Sequence, residues 1–181
     1  VYPVLYGDSK THFFVDWTRD GYQKDCYNLK CPGYIPEVNI PIVPGATIDA
    51  VSNPGGVKRT INIRVLKDSS GDWLLHIGFD SEPYLIGHFP KSIFNTLGEA
   101  NEIKLFGFVQ TRTTQLAPMG SGFLSNNNKK AVSLSNIHII DQNGQTSKVT
   151  QSTRDFMTDK AIYSVSPISS EGMFTYGGPM E

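Results

Sequence analysis

Hydrophobic and polar residues alternate along much of the chain. In segment 59–67, Ile61, Ile63 and Val65 fall on one face, and the polar side chains between them fall on the other. This is the pattern of a β-strand with one buried face. A turn rich in Ser, Gly and Asp follows, and a second apolar stretch runs back from it. Segment 59–79 is therefore predicted to form a β-hairpin.

The same alternation predicts further strands, with turn-forming residues between them. These predicted strands lie at 11–18, 34–40, 82–88, 103–112, 133–141 and 160–165, with turns at 53–56, 125–130 and 141–145. Only the stretch near 91–98 has the apolar spacing of a short helix, which Gly98 would end. One short helix among many strands predicts an all-β fold, an antiparallel β-sandwich, built as a single domain over 1–181.

Composition supports a turn-rich β protein and narrows its partners. The 181 residues include 17 Gly and 11 Pro, and only 18% are charged, below the usual quarter. Sixteen basic and seventeen acidic residues give a net charge of −1, which argues against nucleic-acid or anionic-lipid binding. No apolar run approaches the length of a membrane span. The chain begins at Val1 without a signal-peptide pattern, so we expect it to be truncated or processed at its N-terminus.

Motifs of several common enzyme classes do not match. Ser121 lies between two glycines but lacks the spacing of a G-x-S-x-G nucleophile elbow, so a glycine-flanked turn is the favoured interpretation. Segment 53–58 lacks the spacing of a phosphate-binding loop. The four histidines are scattered along the sequence. We therefore expect neither a metal site nor a cofactor.

The two cysteines, Cys26 and Cys31, have four residues between them. A zinc site would need two more ligands, and a thioredoxin-like redox motif would need two intervening residues. A disulfide is favoured over free thiols. This indicates an oxidising compartment, either secreted or vacuolar.

Asp16 interrupts a predicted strand, where apolar or β-branched residues are usual. Phe13, Val15 and Trp17 are predicted to face the core. Phe14 and Asp16 would then face solvent or a groove, and a solvated strand face is the favoured interpretation. The numerous aromatic residues fit a sugar- or peptide-binding groove, but the inner faces of a sandwich are favoured.

Several segments resemble, in order, the neprosin domain of plant proteins. The signature there runs approximately L-Y-G-D and then F-x-Y-W-T-x-D-G-Y-Q-x-T-G-C-Y-N-L-x-C-P-G-F. The matching segments here are LYGD (5–8), FFVDWTRDGYQKDCYNLKCPGY (13–34), KDSSGDWLLHIG (67–78), IGHFPKSIF (86–94), APMGSGF (117–123) and FTYGGP (174–179). The resemblance covers essentially the whole chain. It implies a disulfide between Cys26 and Cys31.

The resemblance also implies a secreted, jelly-roll-like β-sandwich and the chemistry of glutamic peptidases, which cleave beside proline at acidic pH. Such a site needs one ionised glutamate to activate water and one protonated glutamate to protonate the amide. The family's first glutamate lies in an E-A-G-W segment that would precede Val1. Its second lies in a W-G-G-E-V strand that aligns with 105–109, which puts Phe108 at the glutamate position. Asp16, which replaces a family aromatic, is the candidate for a substitute carboxylate.

Three functions follow as hypotheses. The first is a catalytically inactive peptidase homologue with a groove for a Pro-rich peptide or a carbohydrate, lined by Phe106, Phe108, Gln110, Asp16 and Phe14. The alternatives are an active acid prolyl endopeptidase and a lectin-like, storage or defence protein, so a binding protein is favoured over an enzyme. Strands missing upstream would leave an open sheet edge. We therefore expect either a cleaved N-terminal chain of the same precursor or self-association to cover it.

Overall fold

The computed structural model describes residues 1–19, 23–53, 55–94, 98–111, 115–127, 130–152, 155 and 157–179. Its elements are α1 (Pro3–Tyr6), β1 (Asp16–Arg19), β2 (Lys24–Tyr27), β3 (Ile35–Pro36), β4 (Ile61–Lys67), β5 (Trp73–Phe79), β6 (Tyr84–Phe89), a 3-10 turn (Lys91–Ile93), β7 (Val132–Leu134), β8 (His138–Ile140), β9 (Thr146–Lys148), β10 (Ser164–Val165) and β11 (Phe174–Gly177). The predicted all-β, antiparallel class is confirmed. The chain forms two compact units, Val1–Glu102 and Ile103–Glu181, and its assignment to a single domain stays a prediction.

The first unit contains an antiparallel sheet in the strand order β3-β6-β5-β4. β4 and β5 form the hairpin predicted for 59–79. Its turn is held by Asp68, whose Oδ1 accepts the backbone N–H groups of Ser70, Gly71 and Asp72. Local alternation and a turn with its own side-chain acceptor explain why this element was predictable from sequence.

The core of the first unit lies on one face of this sheet. Ile77 and Ile86 are fully buried, and Phe13, Tyr34, Ile42 and Leu75 complete the buried cluster. Val15 packs against that cluster, and Trp17 is also buried. The prediction that Phe13, Val15 and Trp17 point inward is therefore confirmed. Burying such side chains contributes roughly 1.5–3 kcal/mol each.

A second hairpin, β1–β2, carries the disulfide. Trp17 pairs with Cys26 across the two strands, and Cys26 is bonded to Cys31 with their Cα atoms 6.0 Å apart. The disulfide prediction is confirmed. β2 was not predicted, because its short sequence Lys-Asp-Cys-Tyr has little apolar alternation.

The second unit contains a three-stranded sheet in the order β10-β11-β7 and a separate β8–β9 hairpin. The turn of that hairpin, predicted at 141–145, is confirmed. Asp141 Oδ1 accepts the N–H groups of Asn143 and Gln145. The predicted strand at 133–141 is two short strands, broken where Asn136 takes a positive φ of 57°.

Other strand boundaries were also too long. The predicted strands at 11–18, 34–40 and 160–165 are reduced to β1, β3 and β10. The short helix predicted near 91–98 is present as the 3-10 turn Lys91–Ile93, and 95–97 lie outside the described residues. α1 was not predicted.

Two predictions about apolar faces were wrong. Segment 103–111 has no strand assignment, and residue 112 lies outside the described residues. An alternating sequence is not sufficient to form a strand, because a strand is defined by its ladder of hydrogen bonds with a neighbouring strand. Ile61, Ile63 and Val65 of β4 are exposed rather than half-buried, at 45%, 60% and 54%. β4 lies at the edge of its sheet, beyond the buried cluster.

No described helix has the length and apolar character needed to cross a membrane.

Candidate functional site

Segment 106–110 presents alternate side chains to solvent. Phe106 and Phe108 are 71% and 75% exposed, and Gln110 is exposed as well, whereas Gly107 and Val109 are partly buried. Exposed and partly buried positions alternate here, although the segment has no strand assignment. That Phe106, Phe108 and Gln110 share one face stays a prediction. Two large apolar rings are therefore exposed two residues apart.

Gly107 brings this segment close to the rest of the second unit. A Cβ at this position would lie 2.5 Å from the Met119 sulfur and 2.7 Å from Cε2 of Tyr176. Only glycine permits so close an approach. The inward contact at Gly107 thus helps to set the outward direction of its two phenylalanine neighbours.

Asp16 lies on the exposed face of the β1–β2 hairpin, as predicted. The strand register places Asp16 opposite Tyr27 and Thr18 opposite Asp25, so all four side chains share one face. Phe14 contacts Tyr27 there, with ring centroids 5.8 Å apart. The hairpin therefore carries two carboxyl groups beside two aromatic rings.

The pKa of the Asp16 carboxyl is raised, first by partial burial and then by the negative charge of Asp25, against a backbone hydrogen bond from Trp17 that lowers it. Asp25 was not singled out from the sequence, because its position beside Asp16 depends on the unpredicted strand β2. Asp16 belongs to the first unit and Phe108 to the second. That the two share one groove stays a prediction.

His12 occupies a second polar cluster that the sequence analysis missed. Its Nδ1 lies 2.8 Å from the carbonyl oxygen of Gly45, and its Nε2 lies 3.0 Å from Oδ1 of Asp8. The ring stacks on Tyr6 with centroids 3.7 Å apart and planes within 3°. Tyr6 and Asp8 both come from the LYGD segment. That segment was the available signal, since its side chains surround the histidine four residues later.

The family of the chain follows from a match over nearly its whole length. The family model named Neprosin matches residues 1–179. The chain belongs to the Neprosin family. Membership supports a peptidase-like protein, and the structure shows what several of the Neprosin-like segments build.

In this Neprosin-family chain the two N-terminal motifs meet at Asn28. Asn28 lies inside the disulfide loop, and its Nδ2 donates to the Tyr6 hydroxyl at 2.8 Å. Its Oδ1 accepts the N–H of Val15 at 3.0 Å. LYGD and the cysteine loop are far apart in sequence and adjacent in the fold. In the described contacts these motif residues stabilise the first unit.

Two further features bear on the site. Among the described residues, no three His, Cys, Asp or Glu side chains are grouped as a metal site would need. A cleft of about 460 Å³ lies beside the β4–β5 turn, with Lys67, Lys91 and Phe94 among its lining residues. The cleft residues do not include Asp16, Phe106 or Phe108. Within the part of the chain that the structure describes, we take the exposed Phe106–Gln110 segment and the Asp16–Asp25 hairpin as candidate sites.

Proposed function

We propose that this Neprosin-family protein is a catalytically inactive peptidase homologue that binds an extended, proline-rich peptide. The observation that carries the proposal is the pair of exposed rings of Phe106 and Phe108, which lie two residues apart in the chain. Large apolar side chains that protrude together often mark an interaction surface.

We infer that such a ligand contacts both rings. Alternate residues of an extended chain lie roughly 6.5–7 Å apart. A polyproline II helix has three residues per turn and rises about 3.1 Å per residue, so residues two apart span a similar length on two neighbouring faces of the helix. Proline rings pack on aromatic side chains in other peptide-binding domains. Gln110, which is also exposed, offers both an amide donor and a carbonyl acceptor for the peptide backbone.

The proposed inactivity depends on the residue at position 108. We infer from the resemblance of 105–109 to the family's W-G-G-E-V segment that Phe108 stands at the second glutamate position. Phenylalanine neither holds a charge nor transfers a proton, so a two-glutamate mechanism has no partner there. The same replacement adds the apolar surface that the binding proposal uses.

Binding by a synthetic proline-rich peptide tests this function, with calorimetry or NMR as the measurement. Phe106→Ala and Phe108→Ala should each weaken binding about tenfold or more, which corresponds to about 1.4 kcal/mol. Ile139→Ala is the matched control, because Ile139 is an exposed apolar residue of the same unit. A double Phe106→Ala/Phe108→Ala variant that binds as tightly as wild type would overturn the proposal. Binding of an oligosaccharide in place of the peptide would support the carbohydrate alternative.

An active acid peptidase is the second candidate, and the raised pKa of Asp16 beside Asp25 favours it. A protonated carboxyl next to an ionised one is the arrangement used by acid proteases. The test is cleavage of a proline-rich substrate between about pH 2.5 and 6. Cleavage that is abolished by Asp16→Asn, and retained by Asp49→Asn on the exposed loop residue Asp49, would replace the inactive-homologue proposal.

We also propose that the protein works in an oxidising compartment, either secreted or vacuolar. The Cys26–Cys31 disulfide supports this, since structural disulfides are rare in reducing compartments. Fractionation of the source tissue, with alkylation to show the disulfide intact, tests it.

The exposed face of the edge strand β4 supports a partner that adds to this sheet. We propose that this partner is a cleaved N-terminal chain of the same precursor or a second copy. Intact-mass analysis of the native protein distinguishes the two. A smaller co-purifying chain indicates the first, and a particle of twice the mass indicates the second.

A further inference from the structure

Both ring nitrogens of His12 face oxygen atoms that accept hydrogen bonds. Nδ1 lies 2.8 Å from the Gly45 carbonyl oxygen, and Nε2 lies 3.0 and 3.3 Å from the two carboxylate oxygens of Asp8. A neutral imidazole carries one N–H and one lone pair, so either tautomer would direct a lone pair at an oxygen. Only the imidazolium donates at both nitrogens. The geometry therefore selects the charged ring.

The ring connects two parts of the first unit. Asp8 lies in the turn after α1, and Gly45 lies in the loop whose Thr47 forms a β-bridge with His12. Backbone hydrogen bonds hold the His12 side of this junction, as Phe13 N–H donates to the Ala46 carbonyl at 2.9 Å. The contact with Asp8 is made by the ring. The imidazolium thus links the α1 turn to a loop that is already fixed.

The groups that face the ring have opposing effects on the protonation of His12. Asp8 favours the imidazolium by hydrogen bond and by charge, and the Gly45 carbonyl favours it by hydrogen bond. Lys10 opposes it by charge, and burial opposes it by desolvation. From α1 the neutral Tyr6 ring stacks on one face at 3.7 Å. The hydrogen bonds outweigh the opposing effects, so the pKa of His12 is raised, with Gly45 the largest cause.

The surroundings of Asp8 stabilise its ionised carboxylate. Its Oδ1 also accepts the backbone N–H of Lys10 at 3.0 Å. This bond and the one from His12 lower the pKa of the Asp8 carboxyl. Asp8 therefore stays ionised where His12 is protonated, and the ion pair exists across the intervening acidic range.

We propose that His12 is a proton-operated clasp, which strengthens the attachment of residues 3–10 to the 45–47 loop in acidic medium and weakens it when the imidazolium loses its proton. In the neutral ring one of the two contacts loses its hydrogen bond, and in either tautomer the Asp8 carboxylate loses the charge of the imidazolium. The ring gains no new partner in the neutral form, and the lone pair left behind repels the facing oxygen.

The direction of the pH dependence follows from linkage. His12 binds its proton more tightly in the folded protein than at its ordinary value of 6.5. The stabilisation is therefore fully present below about pH 6.5, and it is lost as the pH rises through the higher folded value. The clasp is closed in an acidic compartment and loosens above neutrality. It acts within the first unit and does not depend on peptide binding at Phe106 and Phe108.

Amide hydrogen exchange of the whole chain tests the proposal. After correction for intrinsic rates, protection of the Leu5, Tyr6 and Gly7 amides should fall about tenfold or more between about pH 5 and pH 8.5. In His12→Gln the protection should be low at both values, without a step. His138→Gln is the matched control, since His138 is exposed and its Nδ1 lies 2.9 Å from the carbonyl oxygen of Asn136, two residues away in the chain. In this control, amide protection should fall between the two pH values as it does in wild type.

An NMR titration of the His12 ring separates the clasp from a structural role. Its midpoint should lie above about 6.5 in wild type, move down in Asp8→Asn and move up in Lys10→Gln. These variants keep the His12 ring, so they test the proposal even if His12→Gln fails to fold. A midpoint at or below 6.5, an Asp8→Asn midpoint equal to wild type, or pH-independent protection of residues 5–7 would each overturn the proposal.

Discussion

Asn28 holds the main chain of Val15 through two hydrogen bonds. Its side-chain Oδ1 accepts the Val15 N–H at 3.0 Å, and its own N–H donates to the Val15 carbonyl at 2.7 Å. Asn28 is 5% exposed and has a φ of 52°, a conformation that asparagine tolerates better than most residues. The disulfide loop therefore positions a side chain that completes the edge of the β1–β2 hairpin.

Replacing Asn28 by alanine should destabilise the fold by about 2–4 kcal/mol. The change leaves the Val15 N–H unpaired in a partly buried position and puts alanine at a positive φ. Asn28→Gly relieves the backbone conformation and loses the same bonds, so its effect should be smaller, about 1–3 kcal/mol. Urea unfolding of the three proteins measures both values. An alanine variant within about 0.5 kcal/mol of wild type would show that Asn28 has no such role.

The parts of the fold that were predictable from sequence have local signals. β4 alternates in sequence over seven residues, and the turn that joins it to β5 has its own acceptor in Asp68. Asp16 and Phe14 were placed correctly on the outer face for the same reason. A period-two pattern depends only on consecutive residues of one segment, so it can be recognised without knowing which strands lie beside it.

The parts that were missed depend on distant residues. Asp25 reaches Asp16 only through strand pairing, and His12 meets Gly45 across 33 positions of sequence. Segment 103–111 has the right alternation but no assigned strand. Pairing, loop contacts and edge exposure are tertiary properties. They follow from the sequence but cannot be recognised in its local pattern.

Substitution of Gly33 or Gly87 should destabilise the fold, because each glycine is in close contact with another part of the first unit. A Cβ at Gly33 would lie 2.6 Å from Cζ2 of Trp17, and one at Gly87 would lie 2.5 Å from the Ile35 carbonyl oxygen. Both residues have positive φ. Either alanine variant should lose about 2–3 kcal/mol or more, measured by thermal or urea unfolding.

Gly98→Ala is the control for these two variants, since a Cβ there meets nothing within 4 Å. It should be neutral or stabilising by up to about 1 kcal/mol. Equal destabilisation of all three variants would mean that loss of glycine itself, rather than the named contacts, determines the effect.

The Cys26–Cys31 disulfide should contribute about 2 kcal/mol, because it closes a loop of only six residues. The double variant Cys26→Ala/Cys31→Ala should therefore remain folded with a lower midpoint in urea. Reduction of the wild type with a thiol should lower the midpoint by a similar amount. Complete unfolding on reduction would show that the bridge determines the fold rather than one turn.

Asp68 should stabilise the β4–β5 turn in its ionised form. Its Oδ1 accepts four donors from Ser70, Gly71 and Asp72, which lower the pKa of the carboxyl. The stabilisation is present above its ordinary value of 3.8 and is lost as the pH falls through the lower folded value. Asp68→Asn should thus have a lower Tm than wild type at pH 7. The two curves should converge in strong acid, and a constant difference at every pH would exclude the charge as the cause.

Asp16 should behave in the opposite way. Burial and the charge of Asp25 raise the pKa of its carboxyl, so the ionised form is disfavoured in the folded protein. This destabilisation is fully present above the folded value and disappears as the pH falls below the ordinary 3.8. Asp16→Asn should therefore raise the Tm at pH 7 and leave it unchanged in strong acid. Because the side chain is exposed, the rise should be small.

Asp25→Asn distinguishes the two causes of the Asp16 shift. Removing the neighbouring charge should lower the titration midpoint of Asp16, measured by carboxyl NMR, towards 3.8, while the desolvation part remains. If the midpoint does not move, Asp25 does not interact with Asp16, and the hairpin holds no coupled acid pair. The active-peptidase alternative would then lose the observation that favours it, whereas peptide binding at Phe106 and Phe108 would be unaffected.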